Sequence, residues 1–164
     1  TLDRIKDYIG LPLLVKGIAT AEDAALAVQH GVDVVWVSNH GGRQLDHGLG
    51  TIDMLSEIVK AVDGKAEIIL DGGIQRASDV LKALSLGAKA VAIGKLQGWG
   101  LAAAGQEGLV KVLELLEHEM TSAMGLLGVT RIDQLTSAYV CKAEPVVHPH
   151  EMSAWTNMPE GRIL

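Results

Sequence analysis

The chain has 164 residues, 48% of them hydrophobic, and a formal charge of −6 at pH 7. That length supports one globular unit with a core. The mild acidity argues against a nucleic-acid surface, and no apolar run reaches the roughly 18 residues of a membrane helix. Nineteen glycines, no phenylalanine and 3% aromatics point to a core of Val, Ile, Leu and Ala in α/β layers with tight turns. Cys141 is the only cysteine, so no intrachain disulfide is expected and the pattern suits the cytosol.

The chain opens without Met or a signal-peptide pattern, directly in helix-like sequence. Residues 2–9 read as the end of a helix closed by Gly10 and Pro12, as in a segment cut from something longer. Leu13 to Ile18 reads as a buried strand interrupted by Lys16. Thr20 should cap a helix from Ala21 to about His30, with Glu22 and Asp23 in its first turn and Gly31 ending it. Val34 to Ser38 is β-branched and apolar, the pattern of a strand buried on both faces. Thr51 should cap a helix to about Val62, turned by Asp63-Gly64. Glu67 to Leu70 is the third strand. A helix over about 77–86 stops at Gly87, and Ala90 to Ile93 is the fourth strand. Gly98-Trp99-Gly100 and Gly105 suggest a small-residue loop. A long helix follows from about Gln106 to Met124, with Leu109, Val112, Leu113, Leu116 and Met120 on one face. Thr130 and Asp133 form a candidate capping box. From Lys142 onward, Pro145, Pro149 and Pro159 break regular structure, so 142–164 is expected to be an extended or disordered tail. His148 and His150 lie in it, and solvated loop histidines are the expectation rather than a metal site.

Strands and helices thus alternate through four βα units, with an internal repeat at a shift of 56 residues. Leu14, Gly17, Ile18, Ala21, Asp23, Ala27, Gly31 and Val35 recur as Leu70, Gly73, Ile74, Ala77, Asp79, Ala83, Gly87 and Val91. Repeated βα units with polar groups after each strand are the sequence pattern of a (β/α)8 barrel. A doubly wound open sheet is the alternative, but no G-x-G-x-x-G follows the first strand.

The second strand ends in Ser38-Asn39-His40-Gly41-Gly42-Arg43-Gln44. His40 and Arg43 place a base and a rigid bidentate cation on one glycine-hinged loop. That suits a small acid whose carboxylate Arg43 clamps while His40 takes a proton. The plain alternative is a polar loop with an incidental histidine. Lys16 lies among apolar neighbours, where a charge must be answered or must reach the rim. Asp71-Gly72-Gly73 and Gly94-Lys95 end the third and fourth strands, where glycine amides and a cation can hold a phosphate.

The segment Ser38 to Gln44 resembles the active-site signature of the FMN-dependent α-hydroxy acid dehydrogenases and oxidases, the glycolate oxidase, lactate oxidase and mandelate dehydrogenase type. The resemblance covers residues 1 to about 141 and only the second half of that family's barrel. It implies an α/β fold comprising the C-terminal half of a (β/α)8 TIM barrel, followed by closing helices and the tail. It implies FMN as cofactor, His40 as catalytic base and Arg43 as the substrate-carboxylate anchor. It implies cofactor contacts at Lys16, Ser38, Asp71, Gly72, Gly73, Gln75, Gly94 and Lys95, with Lys16 facing the flavin N1–C2=O edge, and no metal. Arginines are usual in the family at Gln75 and Lys95, so bidentate phosphate geometry is lost there.

The expected reaction is oxidation of a small 2-hydroxy acid to the 2-oxo acid, with an isolated half-barrel that binds phosphate or FMN without catalysis as the alternative. Other FMN or phosphate-binding barrels share the glycine cradle but lack the Ser38–Gln44 segment. The strands at 13–18 and 90–93 are expected as edges with no protecting feature except Lys16, so pairing with an N-terminal half-barrel or a second copy of the chain is expected. The expected setting is cytoplasmic, with peripheral inner-membrane attachment as an alternative for the complete protein.

Overall fold

The computed structural model of the protein describes residues 1–143. In chain order the elements are α1 (Leu2–Ile9), β1 (Leu14–Ile18), α2 (Ala21–Gln29), β2 (Val34–Val37), α3 (Thr51–Val62), β3 (Glu67–Asp71), α4 (Ala77–Ser85), β4 (Ala90–Ala92) and α5 (Lys95–Leu127). Short 3-10 turns occupy His40–Gly42, Ile132–Gln134 and Ser137–Tyr139. Of the expected tail at 142–164, residues 144–164, with His148 and His150, lie outside the described residues.

The four strands form one parallel sheet in the order β1-β2-β3-β4. Sequential order fits right-handed crossovers that lay successive helices on one face of the sheet. A doubly wound sheet would reverse its order and cover both faces. Burial alternates accordingly. Val35, Val37 and Leu70 are fully buried, Ile68 nearly so, and they pack with Leu55, Ile58 and Val62 of α3 and Ala24 and Ala27 of α2. Val34, Trp36, Ile69 and Asp71 on the opposite face are only half-buried and stand outside that core. The expectation that β2 is buried on both faces is therefore corrected: one face is packed and the other is open. β1 is corrected in the same way, since Leu14 is exposed.

Local chemistry accounts for most boundaries. Gly10 closes α1 at φ 58°, where a Cβ is costly. Thr20 Oγ1 accepts from the Asp23 N–H at 3.2 Å and caps α2. Thr51 does not cap α3. Gly50 holds that position, and the buried Thr51 hydroxyl donates to the Gly72 carbonyl at 3.3 Å, tying α3 to the turn after β3. Asp79 Oδ2 accepts from the Gln75 and Arg76 amides at 3.1 and 3.0 Å and opens α4. The Thr130/Asp133 capping box is not formed. Gln134 Oε1 accepts from the Thr130 and Arg131 amides at 2.8 and 2.9 Å, and Asp133 pairs instead with the Arg131 side chain.

The expected loop around Gly98-Trp99-Gly100 is helical. α5 begins at Lys95 and bends at Ala104 and Gly105, whose dihedrals leave the helical region. Its two arms then meet backbone to backbone at Gly100 and Gly108, where a Cβ on Gly100 would lie 2.8 Å from the Gly108 carbonyl oxygen. Small residues thus made a tight helical bend that composition alone read as a loop. On the longer arm Leu109, Val112, Leu116 and Met120 are half-buried, whereas Leu113 is 52% exposed and off the packed face.

The 56-residue repeat is realised in α2 and α4, whose spans correspond residue for residue, and in β2 and β4. It breaks at the strands before them. β1 runs three positions beyond the equivalent end of β3, and its pairing with β2 shifts register between Lys16 and Ile18. That bulge, at Gly17, corrects the expectation of an unprotected edge, and β4 is short at three residues. No helix among the described residues is long and apolar enough to cross a membrane.

Candidate active site

Parallel strands bring their carboxyl ends to one edge of the sheet, and each of the four turns leaving that edge carries polar or glycine residues. Lys16 and Trp36 are register partners on β1 and β2, and both face the open side. Lys16 Nζ donates to Ser38 Oγ at 2.9 Å, pairs with Asp71 Oδ2 at 2.9 Å, and lies 5.3 Å from the Trp36 ring centroid. Trp36 Nε1 donates to the same Asp71 oxygen at 3.0 Å. A cation, a carboxylate, a hydroxyl and an indole thus form one network across three strands. The ion pair answers the charge that a lysine within a strand must have answered. Asp71 is mostly covered, and Ser38 is 1% exposed.

The turn after β2 is braced at each residue. Ser38 Oγ also accepts from the His40 N–H at 3.1 Å. Asn39 Oδ1 accepts from the Gly41 N–H at 3.0 Å, and its Nδ2 donates to the Leu49 carbonyl at 3.1 Å. His40, Gly41 and Gly42 take φ of 56°, 68° and 70°, three successive left-handed residues of which only His40 bears a Cβ. The His40 ring lies over Gly17: a Cβ there would meet Cε1 at 3.1 Å and Nδ1 at 4.0 Å. Arg43 is exposed, and its Nε donates to the His40 carbonyl at 3.3 Å.

Gly72 and Gly73 follow β3 with φ of 94° and 75°. A Cβ on Gly72 would strike Thr51 Oγ1 at 2.9 Å, while one on Gly73 would meet nothing within 4 Å. Gly94 is the N-cap of α5 and is also open on that measure. Asp71 and Ala92 are register partners, so Gly73 and Gly94 leave adjacent strands at the same level. Lys95 reaches from the first turn of α5 to donate to the Gly41 carbonyl at 3.2 Å. Gln75 is exposed, with its amide on Asp79.

The structure therefore brings Lys16, Ser38 and Asp71 into direct contact, and links Lys95 to the His40 turn. Among the described residues, the Gln75 side chain makes no hydrogen bond to these groups. Sequence reasoning missed Gly17 as the seat of the His40 ring, Trp36 as a partner of Asp71, and Asn39 and Thr51 as braces. A usable signal existed for Trp36: it stands two residues before Ser38 in a strand and so shares that residue's face.

The donor set fits a large, flat, anionic cofactor. An open sheet face carries one lysine, Lys16 on the edge strand β1, reaching across to Asp71 of β3. Two uncrowded glycine turns, one of them at a helix N-terminus, leave amides and Lys95 for a phosphate. These groups gather at the carboxyl edge of a parallel α/β layer, where ligand sites of such layers lie. A model of the FMN-dependent dehydrogenase family matches residues 1–142, and the chain belongs to that family. It is 52% identical over 138 residues to 2-hydroxyacid oxidase 1 of Mus musculus, covering 84% of this chain and 37% of that protein. It is 47% identical over 139 residues to an L-lactate oxidase of a Nostoc species, covering 85% and 38%. A solved structure of mandelate oxidase with benzoyl-formic acid superposes with a TM-score of 0.79 at 48% identity, covering 82% of this chain and 40% of that one. The chain spans less than two-fifths of the length of the two curated relatives.

Proposed function

We propose that this chain is the C-terminal half of a (β/α)8 barrel, and that the assembled protein oxidises a small 2-hydroxy acid to the 2-oxo acid with FMN. Several features support the half-barrel reading: the sequential parallel order, helices on one face, an open opposite face and the partial coverage of longer relatives. An eight-stranded closure would make the open face an interior and carry the carboxyl edge into an active-site mouth.

Bound FMN supplies the two-electron acceptor. The rest is assigned to this chain's residues. Arg43 binds the substrate carboxylate through its guanidinium, leaving the carbinol toward His40. Oxidation removes two electrons and two protons from that carbon and its hydroxyl; His40 would take one proton, and the two electrons would pass with the other to the bound FMN. Lys16 sets positive charge on the inner face, where an electron-rich ring edge is stabilised. Asp71 and Ser38 hold that ammonium in place. Gly72, Gly73, Gly94, Lys95 and Gln75 form the phosphate end.

The observation that carries this reading is the braced His40–Arg43 turn standing beside Lys16 at one end of the sheet. Anaerobic mixing of the FMN-loaded assembly with 2-hydroxy acids tests it. Bleaching of the flavin absorbance, with one equivalent of 2-oxo acid formed per flavin, is expected. A loaded flavin that stays oxidised with every small 2-hydroxy acid tried would overturn it.

A further inference from the structure

Two cations flank the glycine turns of the phosphate end, Arg76 and Lys95. Arg76 is committed elsewhere. Its Nη2 donates to Glu119 Oε1 at 2.6 Å and its Nε to Oε2 at 3.5 Å, and that same Oε2 accepts from the Ala77 N–H at 3.1 Å. The guanidinium is therefore a clasp between α4 and α5. Lys95 is left as the side-chain cation of this end, and although exposed it has a protein partner. Its ammonium crosses the carboxyl end of β3 to the carbonyl of Gly41, a residue 54 positions earlier in the turn that carries His40. The crossing is close: a Cβ on Gly41 would lie 3.8 Å from Lys95 Cε.

Resting on the FMN reading above, we infer that Lys95 couples the phosphate end of the cofactor site to the placement of the His40 turn. A lysine has four flexible side-chain bonds and three donors. An anion at the N-terminus of α5 fixes the ammonium, and a fixed ammonium holds the Gly41 carbonyl. Without that anion the same hydrogen bond must pay the side chain's rotamer entropy alone. Lys95 is thus a positioning residue for His40, acting through the backbone of Gly41, as well as a phosphate contact.

Comparing FMN with riboflavin, which lacks the phosphate, tests this in the full assembly. Flavin fluorescence gives the two dissociation constants, and amide hydrogen exchange follows Gly41 and Gly42. In the unmutated protein, FMN should slow exchange at these amides severalfold more than saturating riboflavin does. Lys95→Gln should weaken FMN about tenfold, the scale of one charge-assisted hydrogen bond, leave riboflavin unchanged, and abolish the difference in exchange. Lys95→Arg should restore both the FMN preference and the protection. Equal protection by the two flavins in the unmutated protein overturns the coupling, as does a Lys95→Gln protein that loses FMN affinity with exchange unchanged. If neither flavin binds the unmutated assembly, the cofactor reading fails and the inference falls with it.

Discussion

His40 occupies a left-handed conformation that costs a β-carbon-bearing residue roughly 1–2 kcal/mol, and it does so between Asn39 and two glycines that share the turn. The cost is offset by the Ser38 and Asn39 hydrogen bonds, which fix where the imidazole emerges. Replacing His40 with Ala should lower turnover by on the order of 10²–10⁴, the usual loss of a general base. FMN should stay bound, because apart from Ser38 at the start of the same turn the assigned cofactor contacts lie on other elements. A colourless His40→Ala protein would show that the two functions are not separable. Arg43→Lys should raise KM and lower kcat for hydroxy acids by an amount on the order of 1.5–3 kcal/mol. A lysine loses one arm of the carboxylate pair and also the Nε brace on the His40 carbonyl. Unchanged kinetics would remove Arg43 from the anchoring role. His40, Arg43 and the glycine turns were legible in the sequence because they fall within short, local motifs. The Trp36–Asp71–Lys16 contact was not, because strand register, rather than spacing along the chain, brings those residues together.

Elements were readable where a local cap or stop decides them. Thr20, Gly10, Gly31 and Asp63-Gly64 ended or began helices as expected. Elements were misread where a long-range partner decides: Thr51 serves Gly72 instead of its own helix, and the Gly100–Gly108 contact turns a presumed loop into a helical bend. The α4–α5 clasp belongs to this scale. Hydrogen bonding to Arg76, and then to the Ala77 amide, holds the Glu119 carboxyl below its ordinary pKa. The sign follows from that depression: the stabilisation is full above the ordinary glutamate range and is lost as pH falls through the lowered value. Glu119→Gln should therefore lower the melting temperature at pH 7 and flatten the acid limb of the stability profile. Because Arg76 is largely exposed, solvent screening keeps the effect modest. A variant whose acid limb is as steep as the parent's would remove Glu119 as the titrating group.

At the scale of the whole molecule, the repeat and the strict βα alternation made the parallel arc legible, whereas the open face was hidden. Val34, Trp36 and Ile69 look like core residues in sequence. They stand outside the packed core, and the described residues cover them only in part. The bulge at Gly17 and the shortness of β4 blunt the two sheet edges, so the open face is the stronger reason to expect a partner. Half-buried apolar side chains of this kind, beside a lysine–carboxylate pair, fit the proposed covering by an N-terminal half-barrel or a second copy related by a two-fold axis. Light scattering on the native protein at micromolar concentration, paired with its melting curve, tests the half-barrel claim most directly. The expected result is a species heavier than the 17.3 kDa chain, or a chain that fails to melt cooperatively when alone. A clean 17.3 kDa monomer with a single cooperative transition would contradict it.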